Sequence, residues 1–157
     1  MRRVGAALAH RHFLQQALAE AEVALSMGEV PVGAVVVQDG AVVARAHNLR
    51  QTLHDPTAHA EILALRAAAR ELEDWRLAEA TIYVTLEPCL MCAAAIAEAR
   101  LKQVVFAAYD PERGALGSRQ HVLGEGLEAR RTEVLGGLME EEASALLKRF
   151  FLSRRDV

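Results

Sequence analysis

Two short stretches hold the residues best equipped for chemistry: His59-Ala60-Glu61 and Pro88-Cys89-Leu90-Met91-Cys92. They offer one imidazole, one carboxylate and two thiols, and Cys89 and Cys92 are the only cysteines of the chain. Side chains three residues apart on a helix share a face, so both sulfurs can reach one metal ion. His59 would be a third ligand, brought from another segment. A closed four-thiolate site is excluded for want of cysteines. Three protein ligands with an open fourth position is the pattern of a catalytic zinc rather than a structural one. Glu61 is then free to move protons for a water activated at the open position.

Each piece alone is a weak signal. A histidine at a helix start is commonly a cap or a surface residue, and a glutamate on a helix is commonly just solvated. A C-x-x-C after a strand suits a thioredoxin-like redox pair as well as it suits zinc. Pro88 precedes the first cysteine instead of lying between the two. The conjunction of H-x-E with P-C-x-x-C, each behind the right kind of segment, favours zinc. Two thiolates cancel the charge of the ion, which leaves a weak Lewis acid. Two helix N-termini, each equivalent to about half a positive charge, would restore the potential and favour the thiolate forms. This reading carries a condition. Mid-helix, His59 and Glu61 would diverge by about 200°, so they must sit at a helix start.

The elements that position these residues are read from hydrophobic periodicity. Phe13 to Met27 has helical spacing, with Gly28 as a terminator. Val32 to Val37 and Ala41 to Ala46 read as strands joined by a hairpin at Asp39-Gly40. Ala58 to Leu72 reads as a helix, Thr81 to Leu86 as a strand, and a helix follows to about Ala99 with Pro88 at its first position. Gln103 to Ala108 is the next strand. Tyr109 to Gly126 reads as a glycine-rich loop with room for a short helix. Thr132 to Leu135 could add a strand, and Met139 to about Arg154 closes the chain as a helix. The alternation predicts an α/β fold: a three-layer α/β/α sandwich with a mixed, about five-stranded sheet.

The chain of 157 residues, 52% hydrophobic and 25% charged, suits one globular domain over 1–157. Residues 1–9 read as a frayed start, since the apolar stretch Val4 to Ala9 is too short for an export signal. No apolar run approaches the ~20 residues of a membrane span, so no membrane partner is expected. A C-x-x-C pair is not a disulfide framework, which points to a reducing, cytoplasmic setting. Net charge is −3, so nucleic acid would be met through a local patch and not a global field.

The two motifs resemble the signature of the zinc-dependent nucleoside deaminases. The likeness extends to Glu29-Val30-Pro31-Val32-Gly33-Ala34-Val35, to Asp55-Pro56-Thr57-Ala58-His59-Ala60-Glu61 and to Tyr83-Val84-Thr85-Leu86-Glu87-Pro88-Cys89. Gly114 to Ser118 and Leu146 to Phe151 also match, so the chain resembles the bacterial tRNA-specific adenosine deaminases from about His12 to Arg155. The resemblance implies a cytidine deaminase-like fold, one zinc ion per chain and a homodimer. It implies conversion of the wobble adenosine (A34) of a tRNA anticodon loop to inosine, by attack of an activated water on C6 of adenine with loss of ammonia. His59, Cys89 and Cys92 would hold zinc, and Glu61 would shuttle protons. Asn48, Ala60, Glu87 and Pro88 would line the base pocket, and Asp110 would lie near a ribose 2′-hydroxyl. Lys148, Arg149, Phe150, Phe151, Arg154 and Arg155 are the candidates for contact with the anticodon stem-loop. Three other readings stay open: a deaminase of a free base or nucleoside of the guanine or cytosine type, a thiol–disulfide oxidoreductase, and a non-catalytic RNA-binding subunit.

Overall fold

The computed structural model describes residues 2–123 and 132–155. Its elements are α1 (Arg2–Ser26), β1 (Gly33–Gln38), β2 (Ala41–His47), α2 (Ala60–Leu72), β3 (Thr81–Leu86), α3 (Leu90–Glu98), β4 (Gln103–Ala108), β5 (Glu133–Gly136) and α4 (Glu140–Arg155). The five strands lie in the order β2-β1-β3-β4-β5. β1 is antiparallel to both β2 and β3, whereas β3, β4 and β5 run parallel. The sheet is therefore mixed, as expected.

Alternation across the strands feeds two cores. Ala34, Val36, Ile82, Val84, Val104 and Phe106 meet Ala64, Leu65 and Ala68 of α2 and Ile96 and Ala97 of α3. Val35, Val37, Tyr83, Val105 and Ala107 face the other way, toward Leu14 and Ala17 of α1 and Ala143 of α4. A sheet covered on both faces needs apolar side chains at most positions of its inner strands. That is why β1, β3 and β4 read as near-continuous apolar runs. At Gly33 the backbones of α1 and β1 approach so closely that a Cβ would come within 2.6 Å of the Ala21 amide nitrogen. The hairpin turn has Asp39 at φ 52° and Gly40 at φ 75°, the left-handed pair that a two-residue turn of this twist requires.

Three boundaries differ from the sequence reading. The segment read as frayed over residues 1–9 belongs, from Arg2 onward, to α1. Its alanine-rich composition favours helix, but Val4 and Leu8 are exposed, so no buried face marks it by periodicity. Pro88 is not the first residue of α3. Cys89 is the N-cap, with an extended backbone, because a bridge between Cys89 and Gly114 and an Ala115 N–H donated to the Pro88 carbonyl hold this stretch straight. The loop after β4 forms turns and bridges, with no helix among its described residues. Residues 124–126 of that expected loop lie outside the described residues.

These connections define one end of the sheet. β2, β3 and β4 all terminate there, and the chain enters β1 there. The carboxyl ends of strands in open α/β sheets are where ligands bind. Asn48, the Glu87-Pro88-Cys89 turn and Asp110 follow those three strand ends directly.

Candidate metal centre and substrate pocket

His59 is the N-cap of α2, with φ −70° and ψ 151°, and Cys89 is the N-cap of α3, with φ −73° and ψ 175°. Neither side chain makes a capping hydrogen bond to its helix, so both are left for another partner. Because His59 is still extended, the helical divergence between His59 and Glu61 does not apply, and Glu61 lies in the first turn of α2. The condition set by the sequence reading is met. Two helix N-termini converge on the same point, and each contributes partial positive charge.

His59 Nδ1 lies 3.7 Å from Cys89 Sγ and 3.5 Å from Cys92 Sγ. The three donor atoms are all within 4.8 Å of one another. Tetrahedral zinc with ordinary Zn–N and Zn–S bonds would set nitrogen and sulfur about 3.6 Å apart. The two nitrogen–sulfur edges thus match those of a zinc tetrahedron, and one nitrogen with two sulfurs is a donor set that fits that ion. Both cysteines are free thiols, Cys92 buried and Cys89 half-buried. The hydrogen bond from Cys92 draws the Cys89 thiol down to about 3, with a second contribution from His59. The bond to Cys89 raises His59 against the opposing effect of burial. Cys92 is pushed up, first by that same bond and then by burial. Both thiols would bind a metal ion as thiolates, with release of their protons.

Glu61 is buried, only 4% exposed, and it lines the same cavity as His59 and Cys89. Burial raises its carboxyl above the ordinary range, opposed by hydrogen bonds from its own backbone N–H and from Cys92. The cavity is open to solvent, with about 540 Å³ of space when the open region at its mouth is counted. Val30, Val32 and Leu86 supply apolar walls. Asn48, Ala60, Glu87 and Asp110, all expected from sequence, line it as well. Pro88 is buried next to the first thiol.

The polar residues here also hold the walls in place. Asn48 Oδ1 accepts the N–H of Arg50 at 3.0 Å, and its amide donates to the Val30 carbonyl at 3.3 Å. Asp110 Oδ1 accepts the N–H groups of Glu112 and Arg113, both at 3.1 Å. Both residues start turns while facing the pocket. Glu87 is 2% exposed and accepts N–H groups from Asp110, Leu116 and Ser118 at 3.1, 3.0 and 3.1 Å, together with the Ser118 hydroxyl.

The C-terminal candidates do not join this cluster. Lys148, Arg149, Phe151, Arg154 and Arg155 are exposed along α4, and none lines the cavity. Arg154 is engaged locally, donating to the Gly28 carbonyl at 2.8 Å and lying 4.5 Å over the Phe150 ring. Phe150 is 4% exposed and belongs to the core, whereas Phe151 is 54% exposed. Adjacent helix positions lie about 100° apart, so only Phe151 is available to stack on a base.

Sequence reasoning missed Arg50, Arg113 and Glu29. The two arginines line the cavity. Glu29, 1% exposed, accepts N–H groups from Gln51 and Thr52, both at 2.9 Å. A charged residue at the head of the apolar run Val30 to Val37 was the available signal for Glu29.

A family model for MafB19-like deaminases matches residues 8–155. The chain is 46% identical over 143 residues to a tRNA-specific adenosine deaminase of Bacillus subtilis, covering 91% of this chain and 89% of that one. It is 45% identical over 144 residues to a tRNA-specific adenosine deaminase of Haemophilus influenzae, covering 91% and 83%. A solved structure from work on A-to-I editing by tRNA:A34 deaminases superposes with a TM-score of 0.84 at 44% identity, covering 87% of this chain and 99% of that chain. A guanine deaminase from Nitrosomonas europaea superposes with a TM-score of 0.74 at 26% identity, covering 92% and 83%. With its cytidine deaminase-like sheet and its paired helix N-termini around one imidazole and two thiols, this chain belongs to the MafB19-like deaminase family, and within it is similar to the tRNA-specific adenosine deaminases.

Proposed function

We propose that this protein hydrolyses the 6-amino group of the wobble adenosine, A34, in a tRNA anticodon loop to give inosine and ammonia. The observation that carries the chemistry is a buried carboxylate, Glu61, beside a donor set spaced for zinc, in a cavity open to solvent. The substrate class is supported by relatives of known name at 45–46% identity over most of both chains. His59, Cys89 and Cys92 would hold one zinc ion. When bound, that ion supplies the Lewis acidity that makes water nucleophilic near neutral pH.

The chain's own residues do the rest. Glu61 Oε takes the proton from the attacking water and delivers it to the departing amine, a contribution of about 10²–10⁴-fold. Val30, Val32 and Leu86 offer apolar surface to a purine ring and exclude water from its faces. The Asn48 amide and the Ala60 backbone orient the base by hydrogen bonding, and Glu87 and Pro88 hold the thiolate turn against it. Asp110, at the rim, would meet the ribose 2′-hydroxyl, the group that separates RNA from DNA. Phe151, Lys148, Arg149 and Arg155 are the exposed α4 candidates for the stem-loop.

The whole chain would act as one deaminase domain in the cytoplasm, and no helix among the described residues is long and apolar enough to cross a membrane. Homodimerisation is supported by an open apolar groove between α2 and α3, with Ile62, Leu65 and Ala69 on its wall and Trp75, 58% exposed, at its rim. A second reading, deamination of a free base, is favoured by the likeness to the guanine deaminase. The test is incubation of the zinc-loaded protein with an A34-containing anticodon stem-loop, scored for inosine, beside free adenosine and guanine. Inosine in the stem-loop alone is the expected result. Product from a free base alone would overturn it.

A further inference from the structure

Glu29 and Glu87 move no proton in the chemistry above, yet both are buried carboxylates, Glu87 in the cavity wall and Glu29 next in sequence to Val30, which lines it. Each gathers the donors of one loop. Glu29 fixes Gln51 and Thr52, including the Thr52 hydroxyl at 3.3 Å. Glu87 fixes Asp110, Leu116 and Ser118. Each loop is then tightened by a short polar side chain that accepts the backbone N–H of an arginine. Asn48 does this for Arg50 at 3.0 Å, and Asp110 does it for Arg113 at 3.1 Å. The same device is thus built twice, on the loop after β2 and on the loop after β4.

Its product is an arginine on each of two walls. Arg50 and Arg113 line the cavity and are exposed to solvent. Neither has an ion-pair partner among the described residues. None of the carboxylates that line the same cavity forms an ion pair with either arginine. Glu61 and Glu87 are buried beneath the surface, and Asp110 Oδ1 accepts the local N–H groups of Glu112 and Arg113. On a chain with net charge −3, this is unpaired cationic charge at the cavity mouth.

The cavity's space of about 540 Å³ includes the solvent at its mouth, so its enclosed part takes a base and not a strand. The phosphodiesters on either side of that base's nucleoside must therefore lie outside, at the mouth. We infer that Arg50 and Arg113 form a two-sided clamp on the phosphates flanking the nucleotide whose base enters the pocket. This rests on the reading of the site as one that acts on a polynucleotide. A guanidinium presents a planar fork of donors that matches two phosphate oxygens. The buried carboxylates hold the backbone of the two loops that carry these arginines, so less of each loop is left to order when substrate binds. The clamp also gives the site a way to prefer a nucleotide within a strand over a free nucleoside, which has no phosphate to grip.

The test uses the zinc-loaded protein and a fluorescent A34 stem-loop, with affinity measured across a salt series. Wild type, Arg50→Ala, Arg113→Ala and the double variant are compared, each on a normal stem-loop and on one whose two flanking phosphates are neutral methylphosphonates. Each alanine should lower the slope of log K against log salt by about 0.7. The methylphosphonate stem-loop should bind wild type as weakly as the normal one binds the double variant, with no further loss on combining the two changes. Arg113→Lys should keep the slope. Unchanged slopes, or losses that simply add, would overturn the clamp. Inosine formation by wild type on the same stem-loop is scored in parallel, so failure of the clamp is distinguishable from failure of the proposed activity.

Discussion

Replacing Glu87 by glutamine changes two oxygens into one oxygen and one amide nitrogen, and the cost can be worked from the donors around it. Oε1 accepts the Asp110 N–H and the Ser118 hydroxyl, and Oε2 accepts the N–H groups of Leu116 and Ser118. An amide nitrogen is a donor only. Placed at Oε2, it would face two backbone N–H groups that cannot turn. Placed at Oε1, it faces one, because the Ser118 hydroxyl can rotate and accept. The second orientation is the cheaper one. It leaves the Asp110 N–H unsatisfied and converts charge-assisted bonds into neutral ones, for a total of about 3 kcal/mol. For a chain of this size that is a fall in Tm of about 6–12 °C. The assay is thermal and urea unfolding at fixed zinc, with amide exchange of the segment containing Leu116 and Ser118. That segment should exchange faster even if it opens without the rest. Ser118→Ala, which removes only the hydroxyl, should cost about 1 kcal/mol. Stability of Glu87→Gln within about 0.5 kcal/mol of wild type, with unchanged exchange at the loop, would refute the claim that this carboxylate holds the pocket wall.

Glu61→Gln should keep one zinc per chain by elemental analysis while inosine formation falls by about 10²–10⁴-fold; wild-type turnover would remove its proton-transfer role. Phe150→Ala should destabilise by about 3–5 kcal/mol in urea, whereas Phe151→Ala should leave stability within about 0.5 kcal/mol and weaken only stem-loop binding. His10 is lowered by burial and its Nδ1 meets the Tyr83 hydroxyl at 2.9 Å. Its folded pKa lies below the unfolded one, so its contribution is complete above about pH 6.5 and is lost as pH falls through the folded value. His10→Gln should therefore lose less stability than wild type between pH 7 and pH 5; identical pH profiles in urea titrations would contradict this.

The catalytic-type cluster was legible because its chemistry is local. His59 and Glu61 bracket one helix start, and Cys89 and Cys92 bracket another, so two short stretches carry the whole donor set. β1, β3 and β4 were legible because burial on both faces leaves few positions polar, Thr85 being one. What the sequence did not disclose depends on partners far along the chain. Glu29 acquires its role only when Gln51 and Thr52 come to it, and Glu87 only when the Asp110–Ser118 loop does. Arg50 and Arg113 look like ordinary surface arginines until both loops are folded around one cavity. The first turns of α1 bury no face and so show no period. Pro88 carries the residue type of a helix start, but the bridge from Cys89 to Gly114 outweighs that preference and shifts the start of α3 to Leu90.

The His59, Cys89 and Cys92 donor set carries the proposed chemistry, and X-ray absorption at the zinc edge of the purified protein tests it most directly. The expected result is one zinc per chain, with two sulfurs at about 2.3 Å and one imidazole nitrogen at about 2.0–2.1 Å. A protein that takes up no zinc, or one in which Cys89 and Cys92 form a disulfide, would contradict it.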